Sequence, residues 1–467
     1  MITVKLPPGY TAERTYITNT VFKEFLGLDV NIQFDEDRRD VLITDENGRR
    51  SLVLADRLFS FPKELWLAPG SLPRQPLKQW DVQGILTEVS ILCGRVPVIY
   101  GIDPETTSFF ETTENKIRIG LDILGSAFFM LTRYEELVNP IRDEHDRFPA
   151  EASLAFHAQF LERPVIDEYV EILWACIARL WPGLQRRGHE YKAFLTHDVD
   201  EPFGVKDQSI PRILKRVAGD VLVRRSPRTA VRRLCSLVRP GEACERLDPN
   251  NTFDWLMDES EAMGLESAFY FMAGTKSDYD SGYDLRTGPL QRLLRRIHER
   301  GHEIGLHPGY GTYRDGELLI TELSLLREAM AAAGVCQEVL GGRHHYLRWD
   351  PRQTWQHWDA AGLSYDSTLS FAQQPGFRSG TCREYPVFSL ISRSPLRLRE
   401  RPLILMDASL LSREYMALSQ SAVIEKIAAL SNACRRVRGT FTLLWHNDML
   451  ITRSQRLLFR ALIEILK

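Results

Sequence analysis

The seven cysteines of this 467-residue chain form no C-x-x-C pair and follow no regular spacing. That excludes a disulfide framework and a thiolate metal site, and it fits a reducing compartment. No apolar run approaches the roughly 18–20 residues of a membrane span, and the opening Met1-Ile2-Thr3-Val4-Lys5-Leu6-Pro7-Pro8 lacks the apolar stretch of a signal peptide. A cytoplasmic location, with membrane association as an addition, is the expectation. An overall basic field is also absent. Lys and Arg number 59 against 62 Asp and Glu, a net charge of −3, which excludes a generic nucleic-acid binder. What remains is an ordinary globular composition, 44% apolar and 26% charged, at a length that favours two domains or more.

The first third differs in texture from the rest. Residues 1–115 mix short apolar runs (Val41-Leu42-Ile43, Ser51-Leu52-Val53-Leu54, Val96-Pro97-Val98-Ile99-Tyr100) with turn signals and read as a small α/β domain. Residues 116–188 read as a helical connector. The run Ile123–Leu131 continues into Arg133-Tyr134-Glu135-Glu136, and a second helix covers about Val165 to Leu180. No ligand or nucleophile constellation marks this region, so it is expected to dock on the rest or shape a substrate site. From residue 189 onward, strand and helix patterns alternate. Strands are expected at 192–196, 267–272, 303–306, 338–341, 363–366, 403–407 and 440–445. Helices are expected at 287–300, 317–333, 419–437 and 452–466, the first three stopped by glycine. Seven such steps imply a parallel sheet closing towards a barrel, with its chemistry at the C-terminal ends of the strands.

Polar residues suited to chemistry fall at those ends. Ala193-Phe194-Leu195 runs into Thr196-His197-Asp198-Val199-Asp200, and three later segments repeat the pattern: His302–His307, Gly341–Tyr346 and Leu443–Asp448. Charge at the end of a buried strand is costly unless it is paired or bound to a metal. A basic insertion at 205–250 interrupts the alternation. Within it, residues 210–246 carry ten Lys or Arg against three acids, interleaved with Ile213, Leu214, Val217, Val221, Leu222, Leu234 and Leu237. Such a segment reads either as a membrane-surface or anionic-substrate contact, or as a solvated helix pair on the rim.

With these motifs in hand, residues 190–467, about 60% of the chain, resemble the polysaccharide deacetylase superfamily, the nodulation-deacetylase homology domain of carbohydrate esterase family 4. Thr196-His197-Asp198-Val199-Asp200 is similar to its first motif, Thr-Phe-Asp-Asp-Gly, and Gly301-His302-Glu303-Ile304-Gly305-Leu306-His307 to its second. Arg343-His344-His345-Tyr346 fits the Arg-x-x-Tyr of the third, and Leu444-Trp445-His446 the closing Leu-x-His. The strings Gly342–Arg348 and Tyr365-Asp366-Ser367-Thr368-Leu369 resemble a subgroup with an extra N-terminal domain. The resemblance implies an incomplete (β/α)7 barrel and a metal-dependent deacetylase, a hydrolase of a non-peptide carbon–nitrogen bond. It would remove an acetyl group from an acetylated sugar of a glycan or glycan precursor, with a divalent metal, zinc first, as cofactor. Carried over residue by residue, Asp198 is the general base, Asp200 and His307 are metal ligands, His446 is the general acid and Arg343 orients Asp198. Tyr346, Asp366, Arg378 and Trp445 would contact substrate, and the backbone N–H of Tyr346 would help stabilise the oxyanion. The expected partner is an acetylated carbohydrate, lipid- or nucleotide-linked in a cytoplasmic setting, with peripheral membrane contact through 210–246 and no nucleic acid.

This sequence departs from the family at two places. Val199 separates the two aspartates, so their roles as base and ligand can be exchanged. The second metal histidine of the family falls at Gly311, which has no ligating side chain. A catalytic zinc normally has three protein ligands, and His345 is the preferred third, with His344 and His197 as alternatives. His302 is out of step with His307 along a strand and reads as a hydrogen-bonding residue of the barrel wall. Two other readings stay open: a hydrolase of a non-sugar (cyclic) amide, and a catalytically inactive glycan-binding barrel.

Overall fold

Apolar residues at every second position build the first sheet. β1 (Ile2–Leu6) buries Ile2, Val4 and Leu6 on one face. β2 (Val30–Phe34), β3 (Val41–Asp45), β4 (Ser51–Leu54), β7 (Phe110–Thr112) and β8 (Lys116–Ile119) join it in the order β2-β1-β3-β4-β8-β7. A separate antiparallel pair is made by β5 (Gln79–Asp81) and β6 (Arg95–Pro97). The computed structural model describes residues 2–82, 89, 91–205, 208–239, 241–274 and 277–467. Positions 206, 207 and 240 of the basic insertion and 83–88 and 90 of the N-terminal segment lie outside the described residues. Helices Ile123–Leu131, Tyr134–Val138 and Val165–Leu180 follow β8. The expected run from 123 through 136 is broken at Arg133, whose left-handed φ of 54° ends one helix and starts the next.

The second sheet has nine strands: β9 (Lys192–Val199), β10 (Ser267–Phe271), β11 (Glu303–Leu306), β12 (Gly341–Gly342), β13 (Tyr365–Asp366), β14 (Tyr385–Ser389), β15 (Ser394–Glu400), β16 (Leu405–Met406) and β17 (Thr440–Leu444). Their order is β14-β15-β13-β12-β11-β10-β9-β17-β16, and every neighbouring pair is parallel except β14 with β15. Helices Gly288–Glu299, Gly316–Ala332, Thr354–Ala361 and Gln420–Arg436 make the returns between parallel strands. The protein is therefore mixed α/β with several sheets, and no closed barrel forms among the described residues. One continuous segment, 394–406, nevertheless serves both ends of the sheet. The Arg401 N–H donates to the Asp366 carbonyl beside β13, and the Ile404 N–H donates to the Thr442 carbonyl of β17. Pro402 lies between them and has no N–H to give, so the ladder is interrupted where the segment crosses from one end to the other.

The two faces of this sheet are distinct. Leu195 and Val199 of β9 join the main core, whereas Phe194 packs with Ala268, Tyr270 and Tyr365 in a separate small cluster. Tyr270 and Tyr365 are linked through their hydroxyls at 2.9 Å. Glycines on neighbouring strands make room for these rings: a Cβ on Gly341 would lie 2.3 Å from the Tyr365 ring, and one on Gly305 would lie 2.5 Å from Tyr270.

The N-terminal part is tied to this sheet by buried polar contacts. Glu136 accepts two hydrogen bonds from Arg378, 2.9 and 2.6 Å, and one from Arg133 at 2.8 Å. Asp167 accepts from Thr381, from the Cys382 N–H and from Arg383. The Tyr16 hydroxyl donates to the Pro386 carbonyl at 2.7 Å. A single cluster of buried apolar residues runs through both parts.

Candidate functional site

Extended backbone decides the first pair of carboxylates. Along β9 and its exit, alternation places Thr196, Asp198 and Asp200 on one side and His197 and Val199 on the other. The valine between the aspartates therefore puts them on a common face. His197 points away from it: its Nδ1 donates to the Trp445 carbonyl at 2.7 Å, and burial pulls its pKa down to about 4. The opposite edge of the site comes from β11 and β12. The Arg343 N–H donates to the Leu306 carbonyl and the His345 N–H to the Pro308 carbonyl, which carries the ladder past the strand ends and fixes both loops.

Asp200, His307 and His345 converge so that one ligand atom from each lies within 4.8 Å of the others. Nδ1 of His307 donates to the Arg343 carbonyl at 2.6 Å, and Nδ1 of His345 donates to Asp280 at 2.7 Å. Both bonds select the tautomer whose Nε2 lone pair faces Asp200, an arrangement shared by metal-ligating histidines. His307 Nε2 and Asp200 Oδ1 are 3.2 Å apart but misaligned for a hydrogen bond, and both atoms are buried without a hydrogen-bond partner. Unsatisfied buried acceptors aimed at one point fit a cation. The group can hold a metal ion. Burial works to raise the Asp200 pKa, but His345, His307 and His446 outweigh it and hold the carboxyl well below the usual range. Burial lowers the His307 pKa, and the Asp198 and Asp200 charges overcome it and raise it. Gly311 offers no ligating side chain, and His345 is the third residue that could supply one.

Two further pairs flank this group. Arg343, fully buried, donates to Asp198 at 2.8 Å and to the Thr196 hydroxyl at 3.0 Å. Its other nitrogens are held by the Ser367 carbonyl and hydroxyl at 2.8 and 2.9 Å. On the far side, His446 Nδ1 donates to Asp407 at 2.7 Å, and the other Asp407 oxygen accepts the His446 N–H at 2.8 Å. Burial would lower the His446 pKa, but the Asp407 carboxylate dominates and raises it well above the ordinary value. His446 Nε2 faces Asp200 at 3.7 Å. Nearby Asp448 is pushed up to about 6 by burial and by Asp200, against the pull of His446.

Asp198, Asp200, His307, His345, His446 and Asp448 line a cavity of about 650 Å³, with Arg343 and Asp407 behind them. Tyr279 and Tyr346 form an aromatic wall with Tyr310, Tyr279 stacking on Tyr310 at 4.1 Å between ring centroids. Tyr346 and Leu347 both adopt left-handed φ, 61° and 55°, a strained turn of the kind concentrated at functional sites. Asp366, Arg378 and Trp445 do not line the cavity. Asp366 accepts from the Thr368 N–H and is pushed up to about 7 by burial; Arg378 pairs with Glu136; Trp445 packs edge-on against Phe459. The alternative ligands are engaged elsewhere: His344 Nε2 accepts from Trp358 at 2.7 Å, and His197 is turned to the Trp445 carbonyl. His302 hydrogen-bonds in the sheet wall, its Nδ1 accepting the Ser267 N–H at 3.0 Å.

Two contributors were not expected. Asp280, in the loop after β10, has no periodic signal in the sequence and is identified only by its partner. Arg147 of the connector lines the cavity and donates to the Tyr346 carbonyl at 3.1 Å. The charged run Arg142-Asp143-Glu144-His145-Asp146-Arg147 in an otherwise apolar stretch was its available signal.

Fold and site together define a mixed α/β protein with a buried Asp-His-His group able to hold a metal. Residues 2–182 match the family of unknown function DUF7033, which covers less than half of the chain. No curated protein matches. Among solved structures, the chain is similar to the crystal structure of a putative polysaccharide deacetylase from Mycobacterium smegmatis, with 18% identity and a TM-score of 0.38 over 60% of this chain and 84% of that one.

Proposed function

We propose that the protein is a metal-dependent hydrolase that removes an acetyl group from an acetylated sugar of a glycan or glycan precursor. On this reading it belongs with the polysaccharide deacetylases. The nine-stranded sheet would be curled as an incomplete (β/α)7 barrel (189–467) behind a small α/β domain (1–115) and a helical connector (116–188). The observation that carries the reading is the convergence of Asp200, His307 and His345 between two prepared acid–base groups, Asp198 on Arg343 and His446 on Asp407. A divalent ion held by this carboxylate and two imidazoles, zinc first, would polarise the acetyl carbonyl and lower the pKa of a bound water.

The chain's own residues supply the rest. Arg343 holds the Asp198 carboxylate in place to accept the proton of the attacking water. His446, kept protonated by Asp407, delivers its Nε2 proton to the leaving amine nitrogen. The sugar lies against the wall formed by Tyr279 and Tyr346.

The test is metal content of chelator-free protein, wild type beside Asp200→Ala and His307→Ala, followed by acetate release from N-acetylated chitooligosaccharides. Near one ion per chain, lost in both variants, with acetate released by the wild type, is the expected result. No bound metal, and none taken up on titration, overturns the proposal. Hydrolysis of small cyclic amides in place of acetate release moves the substrate away from sugars.

A further inference from the structure

The helices Ile210–Leu222 and Pro227–Leu237 carry their apolar side chains on the wrong side for a surface pair. A surface helix normally turns its apolar stripe inward. Here Ile213 and Asp220 of the first helix face inward, whereas Ile210, Leu214 and Val221, at helical spacing, face solvent. The second helix repeats the inversion: Ala230, Arg233 and Ser236 are buried, and Val231, Leu234 and Val238 are exposed. Leu222, Val223 and Val238 are each more than three-quarters exposed, at 76%, 78% and 76%. Of the 17 exposed large apolar side chains among the described residues, nine lie between 210 and 238. The orientation is fixed. Buried Asp220 of the first helix pairs with Arg233 of the second at 2.8 Å and also with Arg224 at 3.0 Å.

The charge on this pair is one-sided. Residues 210–239 hold nine Lys or Arg and a single acid, Asp220, which is already engaged. Lys215, Arg225, Arg228 and Arg239 have no described acidic group within salt-bridge distance, whereas Arg212 and Arg216 both pair with Glu201 at the cavity wall. An outward apolar stripe bordered by unpaired cations is the chemistry that lies in the interface of an anionic membrane. Neither helix is long and apolar enough to cross one. A second copy of the chain is the wrong occupant, since it would set the unpaired cations Lys215, Arg225, Arg228 and Arg239 against their own counterparts.

We propose that this helical pair docks the protein on an anionic lipid surface, with the cavity beside it, because Arg212, Arg216 and Arg233 of the two helices and Arg224 between them line that cavity. The docking is independent of the chemistry proposed above and is tested without any activity.

The experiment is flotation of the full chain with vesicles of phosphatidylcholine alone and of equal parts phosphatidylcholine and phosphatidylglycerol. Two surface variants accompany it, Leu222→Ser/Val223→Ser/Val238→Ser and Lys215→Glu/Arg225→Glu/Arg228→Glu, each checked for an unchanged thermal unfolding midpoint. Binding to the anionic vesicles alone is expected, weakened at least on the order of a hundredfold by the charge variant, roughly a factor of five for each cation removed and more for the acids that replace them. The apolar variant is expected to lose it as well. Equal binding to both vesicle types, no binding to either, or variants that bind as the wild type does would overturn the proposal. So would self-association, read by light scattering, that the apolar variant abolishes without any vesicle binding; the occupant would then be a second copy.

Discussion

Asp280→Asn isolates the contribution of His345 to metal binding. The Asp280 carboxylate is fully buried and accepts from His345 Nδ1 at 2.7 Å, from the Tyr310 N–H at 3.0 Å and from the Ser277 hydroxyl at 2.7 Å. An amide in its place keeps one oxygen for His345 and Tyr310, and the Ser277 hydroxyl can turn to accept from the new NH2. Geometry is kept and charge is lost. A carboxylate behind a ligating imidazole raises its basicity, and removing such a partner costs about 10–100-fold in metal affinity, or ~1.4–2.7 kcal/mol. His345→Ala, which removes the donor itself, should cost more. The assay is competition for Zn2+ between the full chain and a chromophoric chelator, run on the wild type, both single variants and the double variant. If Asp280 acts through His345, the amide change adds nothing once His345 is gone, to within about twofold. Undiminished affinity in Asp280→Asn, or a full additional loss in the double variant, refutes the assignment of His345 as the third ligand.

Other consequences are open to measurement. Asp407→Asn should leave metal content unchanged and lower turnover by about 10²–10⁴-fold. If His446 is the proton donor, its raised pKa keeps it charged as pH rises, so residual activity in that variant should fail at lower pH than in the wild type. Glu136→Gln leaves two buried guanidinium groups without a counter-charge and should cost about 3–5 kcal/mol in denaturant unfolding. Burial opposes ionisation of Glu136, but Arg378 and Arg133 hold its pKa at about 2 against an ordinary 4.5. This stabilisation, on the order of 3 kcal/mol, is complete above pH 4.5 and drains away as pH falls towards 2; an acid-unfolding profile unchanged by Glu136→Gln would contradict it. Gly342→Ala would set a Cβ 1.8 Å from the Leu306 carbonyl oxygen, directly before Arg343. A loss of roughly 1–3 kcal/mol or more is expected from the urea midpoint.

The sheet that builds the site was legible because its signals are local. β9, β11 and β17 are apolar runs that end abruptly in His or Asp, the helices between them are amphipathic with glycine stops, and the last helix opens on a Thr452–Gln455 capping box. The β14–β15 hairpin escaped notice for a physical reason. Leu396-Arg397-Leu398-Arg399 alternates, but the hairpin lies at the margin of the sheet and exposes one face, so a charge-rich stretch reads as loop. Seven βα steps read as an incomplete barrel, and the break at Pro402, where the pairing passes from one end of the sheet to the other, does not announce itself in hydropathy. Asp280 and Arg147 belong to loops whose importance lies in partners 65 and 199 residues away, a distance that no local pattern spans. Alternation along β9, by contrast, was sufficient to settle what Val199 does, had it been applied to the aspartates as it was to His302 and His307.

The order of strands also sets an order of assembly. β9 through β13 lie side by side in the order in which they are synthesised, so the strands that position Asp200, His307 and His345 all precede β17 in the chain. β17 is different. It is the last strand of the chain, yet it slots between β9 and β16, the first strand of the sheet and one made just before it. Until it arrives, His446 does not exist and Asp407 has nothing to hold. A chain cut short before residue 440 would lack His446 and would also leave β9, which leads to Asp200, without its β17 partner. On the proposed roles, only the finished polypeptide would possess both the metal group and the proton donor.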